Sequence, residues 1–159
     1  AAVPALVSGR VDAVTAFWNV EGLALRERLK GVREFRVERY GAPAYPELVL
    51  AATAQTIQDD PGKVERLVTA LRRGYDEVLL DPESAVEAMT RRVKGLDREV
   101  LLRQLAAVSP AFTAGVARYG LLDTRRLRAW SAWAAEFGIV KSPPNVATTF
   151  APRFAAATP

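Results

Sequence analysis

Three residues within four positions could grip a flat ligand: Trp18, Asn19 and Glu21. Trp supplies an apolar face for stacking, Asn both donates and accepts hydrogen bonds, and a Glu carboxylate accepts them. A planar heterocycle carrying an exocyclic amine would use all three. The residues follow an apolar, β-branched run, Val11 to Phe17, and precede a helical pattern. That is the end of a strand where ligands collect in open α/β sheets, and the following helix start offers free backbone N–H groups. A purely structural role fits them as well. Asn19 would then cap the helix, Glu21 would complement its dipole and Trp18 would pack in the core.

A second candidate is the stiff loop Tyr40-Gly-Ala-Pro-Ala-Tyr45-Pro46-Glu47, in which Tyr45 is placed to line a cleft as another stacking wall or to close over the loop itself. On the last helical segment Trp130 and Trp133 accompany Arg126 and Arg128. Arg interleaved with aromatics can bind nucleic acid, but the spacing of Trp130, Ala134 and Phe137 also suits an ordinary buried face. Asp59 and Asp60 form a carboxylate pair directly before Pro61, which suits capping better than acid–base chemistry.

The chain of 159 residues has no Cys and no His. Disulfides, thiol nucleophiles, imidazole-based catalysis and zinc sites of the usual ligand types are thereby excluded. No catalytic, metal or cofactor site is expected. Lys and Arg total 22 against 18 Asp and Glu, for a net charge of +4. The charges are interspersed, without the single-sign stripe of a nucleic-acid interface. A hydrophobic fraction of 50 % with 25 % charged residues is that of a chain able to bury a core. Ala1 to Gly9 does not read as a secretion peptide.

The elements that would position these residues read as α/β in the first third and helical beyond. Strands are expected at Val11 to Phe17, at the alternating Glu34 to Tyr40 and at the continuous apolar Leu48 to Ala54. A short helix is expected over Glu21 to Lys30, closing at Gly31. Asp60-Pro61 and Asp81-Pro82 are helix starts, and Asp97 and Asp123 are N-cap candidates. Val64, Leu67, Val68, Leu71, Tyr75, Val78 and Leu79 recur at helical spacing as an apolar stripe. The last helix should stop at Gly138.

Taken in order, Leu6-Val-Ser-Gly-Arg-Val-Asp-Ala13, Phe17-Trp-Asn-Val-Glu21, Tyr40-Gly-Ala-Pro-Ala-Tyr-Pro-Glu-Leu-Val-Leu50 and Leu71-Arg-Arg-Gly-Tyr75 resemble substrate-binding proteins of ABC importers. The branch most similar is the one that captures thiamine pyrimidine precursors, with relatives for riboflavin and aliphatic sulfonates. The resemblance implies the C-terminal half of a two-lobed type II periplasmic-binding-protein fold, with few strands followed by a mostly helical region. Residues 1–40 would be the remainder of the second lobe, 41–46 a hinge and 47–159 the C-terminal part of the first lobe.

By the same resemblance Trp18, Asn19, Glu21 and Tyr45 bind the ligand. The protein works without chemistry, outside the cytoplasm, and its partners are a small heterocycle and a membrane permease rather than nucleic acid. A half of this kind would self-associate or pair with the missing N-terminal half. Two other readings stand beside it: a basic helical nucleic-acid-binding module acting through Arg125, Arg126 and Arg128, and a relative of the pyrimidine synthases that lacks their iron-binding, cysteine-rich motif.

Overall fold

The computed structural model describes residues 2–156. Its helices, in chain order, are α1 (Ala2–Val7), α2 (Glu21–Arg28), α3 (Ala54–Asp59), α4 (Pro61–Leu80), α5 (Pro82–Arg92), α6 (Arg98–Val108), α7 (Thr124–Glu136), α8 (Val146–Thr149) and α9 (Pro152–Ala156), with 3₁₀ turns at Val37–Tyr40 and Ser109–Ala111.

No strand occurs among the described residues, so the expected α/β class is wrong. Val11 to Phe17 and Leu48 to Thr53 lack regular structure, and Glu34 to Tyr40 ends in the 3₁₀ turn. The reason is pairing. Apolar alternation and β-branching favour an extended backbone, but a strand exists only when its N–H and C=O groups meet a neighbour, and no ladder forms here. Without a sheet to pack on, the apolar side chains lie open: Phe35 is 63 % exposed and Leu48 90 %.

The helix signals hold because they are local. Asp60 Oδ1 accepts from the Lys63 N–H at 2.8 Å, directly before Pro61 in the first turn of α4. Asp81 receives Ser84 N–H and Asp97 receives Val100 N–H, both at 3.0 Å, and Asp123 receives the N–H groups of Arg125 and Arg126. At the other end of α7, Gly138 takes φ +70°. Its N–H reaches Ala135 O at 3.1 Å and the Ile139 N–H reaches Ala134 O at 2.8 Å. That pair of bonds is a Schellman closure, which a residue with a Cβ adopts only at a cost.

The chain forms two compact units. The first comprises Ala1–Phe35 and Val78–Ala111. In it α1 packs on α2 and α5 on α6, Leu25 and Val86 are buried, and Arg98 joins the two helix starts through Glu83 at 2.8 Å. Arg103 of α6 pairs with Glu27 of α2 at 3.3 Å.

The second unit comprises Arg36–Glu77 and Phe112–Pro159. Its core holds Val64 of α4, Leu127 and Ala134 of α7, Val146 of α8, and Phe154 and Ala155 of α9. The apolar stripe expected along α4 is only partly covered. Val64 is buried, whereas Leu67 and Leu71 are 48 % and 41 % exposed, and the inward position two turns beyond Val64 is taken by Arg72.

Candidate ligand-binding site

The turn carrying Trp18 and Asn19 is built by its neighbours. The Phe17 carbonyl accepts the N–H groups of Val20 at 3.1 Å and Gly22 at 2.9 Å, which folds residues 17–22 into a tight corner. Gly22 is buried there. A Cβ on it would make only ordinary contact, 3.5 Å from Phe17 O and 3.4 Å from Glu34 Oε1.

Glu21 closes the corner from the other side: its Oε2 accepts the Phe17 N–H at 3.1 Å. The second carboxylate oxygen keeps its acceptor capacity. As the first residue of α2, Glu21 also sits where the helix dipole favours negative charge.

Asn19 is not the cap that one reading of the sequence assigns. The N-cap position is Val20, and no side chain caps α2. Trp18 is fixed through its backbone: Arg26 Nη2 donates to Trp18 O at 3.4 Å, and the same guanidinium forms an ion pair with Glu34. Trp18, Asn19 and Glu21 are all half-buried, so each combines packing with an accessible edge. The arrangement offers a stacking face, an amide that donates and accepts, and a carboxylate oxygen, all on one braced turn. Arg26 and Glu34 were not legible as part of it. They lie eight and sixteen residues beyond Trp18, across a helix and an irregular loop, and no sequence spacing announces such a pair.

Tyr45 belongs to the second unit. It is half exposed, and its ring lies 5.3 Å from the Trp130 ring at an interplanar angle of 35°. The structure therefore groups Trp18, Asn19 and Glu21 in one unit and pairs Tyr45 with an aromatic of the last long helix.

Three of the remaining candidates make structural contacts. Asp60 caps α4. Arg126 pairs with Asp123 at 3.4 Å and donates to Ala114 O at 3.2 Å. Trp133 lies against Phe137 with centroids 5.0 Å apart. Among the described residues no group of three or more acidic, His or Cys side chains is placed to hold a metal ion, and no helix is long and apolar enough to cross a membrane.

Comparison with known proteins adds three findings. The NMT1/THI5-like family profile matches residues 1–85, a stretch that contains Trp18, Asn19, Glu21 and Tyr45. A Haemophilus influenzae protein whose name refers it to thiamine biosynthesis is 33 % identical over 141 residues, which is 86 % of this chain and 43 % of the relative. The chain thus spans less than half the length of the curated relative it matches, and no solved structure matches it. With more than half of its residues covered by the family profile, the chain belongs to the NMT1/THI5-like family.

Proposed function

We propose that this chain is part of an extracytoplasmic solute-binding protein that captures a small heterocycle, such as a pyrimidine precursor of thiamine, for an ABC importer. It does so without catalysis. The observation that carries this reading is the braced turn of Trp18, Asn19 and Glu21 inside the stretch matched by the family profile. The bound ring stacks on Trp18, its exocyclic amine donates to the free Glu21 oxygen, and a ring nitrogen meets the Asn19 amide. The name of the Haemophilus influenzae relative supports a thiamine-related ligand.

The same reading has the chain associate with further polypeptide. Leu48, Val49 and Leu50 are respectively 90 %, 55 % and 51 % exposed on unpaired backbone, and such a segment readily adds to another strand.

Calorimetric titration with a 4-aminopyrimidine tests the site. Binding weakens about tenfold in Asn19→Ala, the loss of one hydrogen bond to a desolvated ligand, and further in Trp18→Ala. Unchanged affinity in both Asn19→Ala and Glu21→Ala would overturn the assignment.

A further inference from the structure

Two of the four tyrosines meet face to face. Tyr75 lies in the C-terminal half of α4 and Tyr119 in the irregular segment before α7, and their ring centroids stand 3.5 Å apart with planes inclined by 22°. That separation is van der Waals contact between carbon atoms. It leaves almost no lateral offset, so the rings overlap fully, including the ε carbons beside each hydroxyl. The two hydroxyl groups also interact, which means that the rings stack in the same sense.

The other tyrosines do not share this arrangement. Tyr40 is 70 % exposed, and Tyr45, 48 % exposed, lies against Trp130. Phe112, the third ring of the cluster, has no phenol to oxidise. The chain has no cysteine, the side chain that oxidants attack most readily. Its one methionine, Met89, lies in the other unit and takes up oxygen rather than losing a single electron.

We infer that Tyr75 and Tyr119 are a site of oxidative cross-linking, at which a peroxide-derived one-electron oxidant joins the two rings as dityrosine. Each phenol gives one electron to the oxidant and its O–H proton to water. The two phenoxyl radicals couple through one ε carbon of each ring, forming a single C–C bond. The hydrogens on those carbons then move to the phenolic oxygens, so both hydroxyls are restored and the pair has lost two electrons and two protons in all. Tyr119 borders a cavity of about 80 Å³, room for the water that takes the proton.

The chain leaves the second unit after Glu77 and returns to it at Phe112. A bond between residues 75 and 119 therefore ties the departure to the return and closes the intervening segment into a loop. It constrains the unfolded chain as a disulfide would, in a sequence that can form none. Both rings belong to the second unit, so the site does not depend on what Trp18 receives.

Photo-oxidation of the whole chain by tris(bipyridine)ruthenium with persulfate tests the inference, at a dilution that disfavours coupling between copies. The folded monomer gains dityrosine fluorescence and runs faster on a denaturing gel. Proteolysis releases a species that joins the peptides of residues 75 and 119 and is lighter than their sum by two hydrogen atoms. Tyr75→Phe and Tyr119→Phe both lose that species, whereas Tyr45→Phe retains it. Oxidation of the wild-type chain in concentrated urea lowers its yield several-fold, because the ends of a long unfolded loop seldom meet. Equal yields from folded and urea-unfolded chain, or dityrosine found only at Tyr40 and Tyr45 in cross-linked dimers, would overturn the inference. So would a folded, oxidised monomer without dityrosine.

Discussion

The rings of Tyr75 and Tyr119 stack with centroids 3.5 Å apart and planes inclined by 22°. Phe112 packs edge-on against both, at 5.0 Å from Tyr75 and 5.5 Å from Tyr119. This cluster ties the irregular segment 112–120, which lacks regular backbone hydrogen bonding, to the C-terminal half of α4. Edge-to-face and offset-stacked contacts each add about 0.5–1.5 kcal/mol beyond area burial, so these rings hold the segment together with the Arg126 bond to Ala114 O.

Alkaline pH should loosen this cluster. Burial, and secondarily the Tyr75 hydroxyl, push the Tyr119 pKa well above the ordinary tyrosine range. The folded state therefore holds the phenolic proton that the unfolded chain releases near pH 10. Stability from this group is complete below that value and falls as pH rises above it. Melting temperatures between pH 8 and pH 11 should decline more steeply for wild type than for Tyr119→Phe. Parallel declines would refute the assignment. At neutral pH the same substitution costs about 1 kcal/mol, the net worth of one hydrogen bond.

Asp60 sets the start of the longest helix. Replacing it with Ala removes the acceptor for the Lys63 N–H and should cost about 1 kcal/mol in chemical denaturation. Asp60→Asn keeps the acceptor and should be close to neutral. The exposed Arg66 guanidinium stands 3.8 Å from the Asp60 carboxylate, and such pairs contribute little. Arg66→Ala should therefore leave the midpoint nearly unchanged, which separates capping from ion pairing.

The contrast between Asp60 and Leu48 shows what sequence can and cannot carry. Capping needs only a side chain and an N–H three residues on, so Asp60, Asp81, Asp97 and Asp123 could be read directly. Likewise the stop at Gly138 is a property of six consecutive residues. Strand formation at Leu48 to Ala54 depends on a neighbour that local pattern does not reveal, and the structure has none. The candidate site divides along the same line: Trp18, Asn19 and Glu21 could be picked out by type and proximity, whereas the bracing of Trp18 by Arg26 and Glu34 is tertiary. Arg72 was hidden for a further reason. It falls within a stripe of apolar residues, and a charged side chain on a helix is ordinarily solvated.

Gly115 and Arg126 should behave as a coupled pair. Gly115 has φ +74°, and a Cβ there would run into the Arg126 guanidinium, which is held by Ala114 O and Asp123. Gly115→Ala thus meets two penalties, backbone strain of about 1 kcal/mol or more and displacement of Arg126 from its partners. In Gly115→Ala combined with Arg126→Ala the second penalty is already present in the arginine variant. The double variant should be less destabilised than the sum of the two single variants, as measured by a thermodynamic cycle. Strict additivity would mean that the guanidinium moves aside freely.

Ser131 links α7 to the segment that follows it. The residue is buried on the inner face of α7 beside Leu127 and Ala134, and its Oγ donates to Pro144 O at 2.8 Å. Pro144 precedes Asn145, which caps α8 through the Ala147 N–H at 3.0 Å and so places Val146 in the core. One hydroxyl therefore fixes the approach of α8 to α7. Ser131→Ala should cost about 1–2 kcal/mol, since it leaves the Pro144 carbonyl without its donor. Ser131→Val should cost more, because added methyl groups must enter a packed face. The local readout is hydrogen exchange: the Phe150 N–H, bonded to Val146 O at 3.1 Å, should lose protection in Ser131→Ala before the amides of α7 do. Simultaneous loss in both helices would mean that α8 is held by apolar contact alone.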